Sequence, residues 1–162
     1  MLANIEIIEN PNESINRAYD ITISSREELL IAFPTVNAFC RNVRAGISIQ
    51  LLKEEYSKNN VRLRILTPVN NEIMHIIEEL KKALLSKLDI RALNESTEIE
   101  NIVTVVLVDR KESLVVCIKD DTKDNMYEAV GSSIYSNIKP IVLSYLAIFE
   151  TLWKQSQPLS VK

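Results

Sequence analysis

Apolar positions change their spacing several times along the chain, and each change marks an element. Ile5-Glu6-Ile7-Ile8 is a short apolar run that predicts a strand or a sheet edge. Asn10-Pro11-Asn12-Glu13 then combines a capping side chain, a proline and an acid, which start a helix carrying Ile15, Ala18, Tyr19 and Thr22 on one face. Glu28 to Phe33 is largely apolar until Pro34 stops it, the pattern of a strand buried on both faces. After a polar loop, Ile47, Leu51, Leu52 and Tyr56 recur at helical spacing, and Val61 to Leu66 follows as a strand ended by Thr67-Pro68. The alternation repeats, with Ile73, Ile76, Ile77, Leu80 and Leu84 on a helix and Leu88 to Leu93 as the next strand. Right-handed crossovers make these three strands parallel. Beyond them the period becomes that of strands: Ile102 to Val108 and Ser113 to Ile118 flank Asp109-Arg110-Lys111-Glu112, a hairpin.

A polar stretch, Lys119 to Asn125, and a short helix ending at Val130 lead to Gly131-Ser132-Ser133, which reads as a turn. The last helix starts near Asn137, tolerates Pro140 in its first turn and runs to about Gln155. Its two apolar stripes, Ile141, Tyr145, Ile148, Leu152 and Val142, Leu146, Phe149, Trp153, are broader than one sheet contact requires, so Tyr145, Phe149, Leu152 and Trp153 are expected to form a homodimer surface. The fold expected is α/β, with a mixed sheet built from a parallel βαβαβ core, a C-terminal hairpin and the long helix.

Length and composition narrow the class. The chain has 162 residues, 46% apolar and 25% charged, which suits a single globular domain over residues 1–162 and no membrane insertion. The N-terminus lacks a basic segment followed by an apolar one, so a cytoplasmic location is expected. A net charge of -3 argues against a nucleic-acid partner, whose phosphates call for Lys and Arg. Cys40 and Cys117 have neither CxxC spacing nor histidine companions and read as buried free thiols, so no metal is expected. The two glycines, Gly46 and Gly131, cannot supply a GxGxxG or Walker A loop, and no cofactor is expected.

The candidate chemistry is correspondingly thin. The single histidine, His75, lies in a helix without a paired nucleophile, and Glu54-Glu55, Glu78-Glu79 and Asp120-Asp121 read as solvated neighbours. Polar residues gather after the carboxyl ends of the parallel strands, where open α/β sheets bind ligands. Thr35, Asn37 and Arg41 follow the first strand, and Thr67 and Asn70 follow the second, with Ser132 and Ser133 closing one side. Arg41 and Arg44 lie near the start of the expected helix at Ile47, a position that favours an anionic ligand.

Leu29 to Phe39, Val61 to Pro68, Val108 to Val116 and Tyr135 to Gln155 resemble the N-terminal sensor domain of archaeal multidomain histidine kinases, a likeness that spans nearly the whole chain. The resemblance implies half of a phospholipase D fold, whose motif is HxKxxxxD followed by a Gly-Ser turn. With Asp109 as the motif's aspartate, Ile102 and Thr104 stand where its histidine and lysine belong, and Gly131-Ser132 is the relic of the turn. Without the histidine nucleophile the expectation is a chain that is not an enzyme, any kinase activity lying in other modules. The function implied is a sensory domain of a two-component protein, binding an unknown small molecule or protein signal and relaying it through the last helix. Alternatives are a degenerate phosphodiesterase-like enzyme and the effector-binding or dimerisation domain of a transcription regulator.

Overall fold

The computed structural model describes residues 2–45, 60–84, 88–93 and 102–159, and its strands join in one mixed sheet. In chain order they are β1 (Ile5–Ile8), β2 (Glu28–Ala32), β3 (Arg62–Thr67), β4 (Leu88–Ala92), β5 (Val103–Val108), β6 (Glu112–Ile118), β7 (Val130–Ser136) and β8 (Gln157–Pro158). Across the sheet the order is β1-β7-β6-β5-β2-β3-β4-β8. β2, β3 and β4 are mutually parallel, as expected, and every other neighbour pair is antiparallel. The described helices are α1 (Pro11–Ile23), α2 (Val36–Arg44), α3 (Met74–Leu84), α4 (Met126–Ala129) and α5 (Lys139–Gln155). The helix expected from Ile47 to Tyr56 lies outside the described residues.

Strand alternation distributes the core between two faces. Leu29 and Ile31 of β2, Leu63 and Ile65 of β3, and Val106 and Val108 of β5 face α1, α2 and α3, meeting Ile15, Phe39 and Ile77. Leu30, Leu66 and Leu107 face the other way and meet Leu146 and Phe149 of α5. Burial of each such side chain contributes about 1.5–3 kcal/mol.

This second face corrects the expected dimer surface. Val142 and Phe149 are buried and Tyr145, Leu152 and Trp153 half-buried, because the chain's own sheet needs α5 as its cover. The large apolar residues that α5 leaves exposed are Leu143 and Ile148. Arg64 of β3 secures the helix: its guanidinium lies 5.4 Å from the Phe149 ring and 5.1 Å from the Trp153 ring and makes a two-point bond to Glu150. That bond raises the pKa of Arg64 and holds the Glu150 carboxyl below its usual range.

Two further elements depart from the sequence pattern. Gly131-Ser132-Ser133 is extended within β7, where Ser133 pairs with Ile8 of β1 and with Val116 of β6, and is not a turn. Ser133 tolerates full burial there because its hydroxyl bonds that of Ser14 on α1 at 2.8 Å. Gly131 sits opposite an irregularity between Val116 and Ile118, where an added Cβ would lie 3.4 Å from the Cβ of Lys119. The segment after Thr35, expected as loop, is the helix α2, on which Val36, Phe39, Cys40 and Val43 do keep helical spacing.

Candidate functional site: a loop latched to a buried arginine

The carboxyl ends of β2 and β3 and the start of β5 share one edge of the sheet, since Ala32 pairs with Val105 and with Leu66. At this edge Thr35 caps α2, its hydroxyl accepting from the Ala38 N–H at 2.9 Å. The same hydroxyl donates to the Asp121 carboxylate at 3.0 Å. Asn37 donates to the Asp121 carbonyl at 3.2 Å. Arg41, only 3% exposed, donates through Nη2 to Oδ1 of Asp121 at 2.8 Å and through Nη1 to the carbonyls of Asp121 and Lys123 at 3.1 and 2.9 Å. Three of the residues singled out in the sequence therefore converge, and what they hold is the loop between β6 and α4.

That loop is tied at both ends. The Lys119 N–H reaches the Ala129 carbonyl at 2.7 Å, and Asn125 caps α4 by accepting from the Tyr127 N–H at 2.8 Å. Between them Asp120 closes a local turn, accepting from the Thr122 hydroxyl and N–H at 2.6 and 3.0 Å, which keeps its carboxyl below the usual range. Asp121 is left to face Arg41.

Arg41 has a second surface. Beneath α1 and α2 lies a cavity of about 70 Å³ whose walls are mostly apolar, among them Ala18, Ile31, Ala38, Val106 and Val116. Ser14, Thr104 and Arg41 supply polar groups to the same space. Cys40, next along α2, is a buried free thiol whose pKa burial raises, and Cys117 is half-buried.

The other expected site residues are not brought to this cluster. Thr67 is fully buried and donates to the Pro68 carbonyl at 3.0 Å, and Asn70 caps the short 3-10 turn at Asn71–Ile73. Ser132 and Ser133 belong to β7, two strands beyond β5, and Ser133 approaches the cavity only through its bond to Ser14. Arg41 and Arg44 occupy the last turn of α2, where a cation suits the helix dipole, so their placement is not in itself an anion signal. Arg44 makes an exposed ion pair with Asp124 at 3.3 Å. The acid missed in the sequence is Asp121, which lies 80 residues from Arg41 and carries no local mark of its role.

The motif positions separate. Thr104 lines the cavity and Ile102 lies at the same edge, while Asp109 stands at the opposite end of β5, roughly 17 Å further along the strand. Asp109 and Arg110 both have positive φ, 53° and 60°, in the two central positions of the hairpin. The Asp109 carboxylate accepts the N–H groups of Arg26, Glu27 and Glu28 at 2.8–2.9 Å and so anchors the start of β2. Gly131-Ser132 lies within a strand and forms no turn near Thr104. His75 is exposed on α3. No metal-binding cluster and no helix long and apolar enough to cross a membrane occur among the described residues.

The sequence matches no family model and no curated protein. Solved structures do share the fold. The Salmonella typhimurium phospholipase D family member Nuc aligns with a TM-score of 0.68 at 10% identity over 99% of this chain and 100% of its own. Phosphatidylserine synthase from Haemophilus influenzae aligns with a TM-score of 0.65 at 13% identity over 97% of this chain and 39% of its own. TrmBL2, an archaeal chromatin protein described as showing a novel mode of DNA binding, aligns with a TM-score of 0.61 at 14% identity over 96% of this chain. The chain spans 54% of the length of TrmBL2. The fold is thus phospholipase D-like, as expected.

Two expectations are corrected by these likenesses. The chain is expected from its substituted motif positions not to be an enzyme, yet solved structures with its fold include a phospholipase D family member and a synthase. A nucleic-acid partner was excluded on net charge, yet a DNA-binding chromatin protein has this fold. A whole-chain charge of -3 is a sum and says nothing of how charge is distributed over one surface.

Proposed function

We propose that this chain is a sensory module that takes a small molecule into the cavity beneath α1 and α2 and relays its presence to an attached output part. The observation that carries this reading is the double role of Arg41, which lines the cavity and holds the loop between β6 and α4. A molecule in the cavity touches the side chain on which the loop depends, so occupancy and loop position are coupled. β2 offers the route onward, because Ile31 faces the cavity while its neighbours Leu30 and Ala32 pack toward α5. The resemblance to sensor domains of archaeal histidine kinases supports a kinase as the output, reached through α5. The likeness to TrmBL2, about half of which this chain spans, favours instead an output that binds DNA, and the full-length protein separates the two.

A melting screen against a metabolite library tests the ligand site. A molecule that binds the folded state alone stabilises it by about 2.7 kcal/mol at a hundredfold excess over its Kd, a rise of about 5–10 °C for a chain of this size. Ala18→Leu fills the cavity without touching the latch and is expected to abolish the rise. Equal shifts in wild type and variant would put the ligand elsewhere and end the reading.

A further inference from the structure

We infer that the ligand of this cavity is a small carboxylic acid with an apolar body of a few carbons, whose carboxylate exchanges with that of Asp121 on Arg41, an inference that rests on the sensory reading above. The cavity of about 70 Å³ sets the body, being less than half the roughly 150 Å³ in which an apolar cavity takes up benzene. Its walls, including Ile31, Val106 and Val116, offer the body apolar contact and few polar partners.

Arg41 sets the charge. A guanidinium that is 3% exposed requires an acceptor, and Oδ1 of Asp121 is the carboxylate oxygen that now serves it. A neutral molecule in the cavity has nothing with which to replace that charge, so it leaves the latch shut. A carboxylate matches the planar fork of arginine and can replace Asp121 without leaving the cation unpaired. The two acids also repel each other at one guanidinium, which makes binding and latching mutually exclusive.

Loop and acid are suited to exchange. The side chain of Asp121 is 21% exposed against 4% for Arg41, so the acid has water to return to while the arginine has none. The turn closed by Asp120 and Thr122 is local and can move with it. The bonds from the Lys119 and Asp120 N–H groups to the Ala129 carbonyl, with the cap at Asn125, confine the movement to residues 121–124. Thr35 and Asn37 lose their bonds to Asp121 when the loop leaves and present a hydroxyl and an amide to the incoming carboxylate.

Isovalerate and its neutral counterpart isovaleramide are suitable probes, measured by titration calorimetry on wild type, Asp121→Asn and Ala18→Leu. Isovalerate is expected to bind wild type, isovaleramide to bind at least tenfold more weakly, and Asp121→Asn to bind isovalerate about tenfold more tightly, since an apparent affinity rises as the competing closed state is depopulated. In wild type, hydrogen exchange at residues 121–124 is expected to quicken with isovalerate and to stay unchanged with isovaleramide. Equal binding of acid and amide, or unchanged exchange at 121–124, overturns the inference, and the wild-type exchange decides alone if Asp121→Asn does not fold. Failure of both probes also overturns it. Should metabolite hits that vanish in Ala18→Leu persist in that case, the carboxylate alone is wrong; should those hits survive in Ala18→Leu, the sensory reading fails with it.

Discussion

On the α5 face of the sheet, Arg64 rises from β3, a central strand, and ends between two aromatic rings and a glutamate carried by one rigid helix. On the α2 face, Arg41 is likewise committed to hydrogen bonds, but the acceptors belong to a loop and a cavity lies beside it. Each arginine joins elements distant in sequence, and each is paired with an acid. What separates them is what the acid is attached to. Glu150 sits on the helix that also buries Phe149, whereas Asp121 sits on a loop of a few residues. A partly buried charge pair thus fastens a fold when both members sit in packed elements, and it serves as a latch when one of them sits in a loop.

Phe149→Ala breaks the fastened side and has the largest expected effect. The ring is 2% exposed, and its loss is expected to cost about 3–5 kcal/mol by chemical denaturation, with no selective change in exchange at residues 121–124. Uniform loosening of that loop together with α5 would show that the two faces are not separable. Arg41→Ala breaks the latched side. Three hydrogen bonds are lost and Asp121 is left without its cation, an expected cost of about 2 kcal/mol, accompanied by rapid proteolysis between residues 120 and 124. Emission from Trp153, the sole tryptophan, is expected to stay unchanged in that variant. Arg41→Lys is expected to restore little, because an ammonium cannot reproduce the fork that reaches two carbonyls and a carboxylate.

The smallest effect is one of pH. The folded pKa of Glu150 is lowered, chiefly by its hydrogen bond from Arg64, with burial opposing. A lowered folded value means that the bond's contribution is complete above the unfolded glutamate value of about 4.3 and is lost as pH falls from there through the folded value. Trp153, stacked on Phe149 at 5.8 Å, is expected to shift its emission in that acid window in wild type and not in Glu150→Gln. An identical acid transition in Glu150→Gln would assign the transition to other carboxylates.

Local rules were enough for the parallel core. β2 is written as an apolar run stopped by Pro34, β3 as apolar positions interleaved with Arg62 and Arg64 and stopped by Pro68, and α1 is announced by Asn10 and Pro11; all read the same in the fold because each signal is complete within a few residues. α2 carried the same kind of signal, a Thr35 cap and four apolar positions at helical spacing, hidden by the Pro-Thr turn before it and the asparagines within it. Thr35, Asn37 and Arg41 were legible as a polar group at the carboxyl edge of the sheet because position in an α/β fold follows from strand order.

Long-range pairing decided the rest. Gly131-Ser132-Ser133 has the composition of a turn, and only β1 and β6 on its two sides, with Ser14 waiting for Ser133, make it a strand. The breadth of the apolar face on α5 was plain in the sequence, but whether a second copy or the chain's own sheet would cover it was settled by Leu30, Leu66 and Leu107 pointing toward it. Asp121 looked like one of two solvated acids, and it became the partner of Arg41 through a contact across 80 residues. Periodicity and capping are properties of neighbours in the chain, so the sequence determines them by itself. The partner of a charge and the cover of a face depend on which surfaces the whole sheet brings together, and those belong to the tertiary structure.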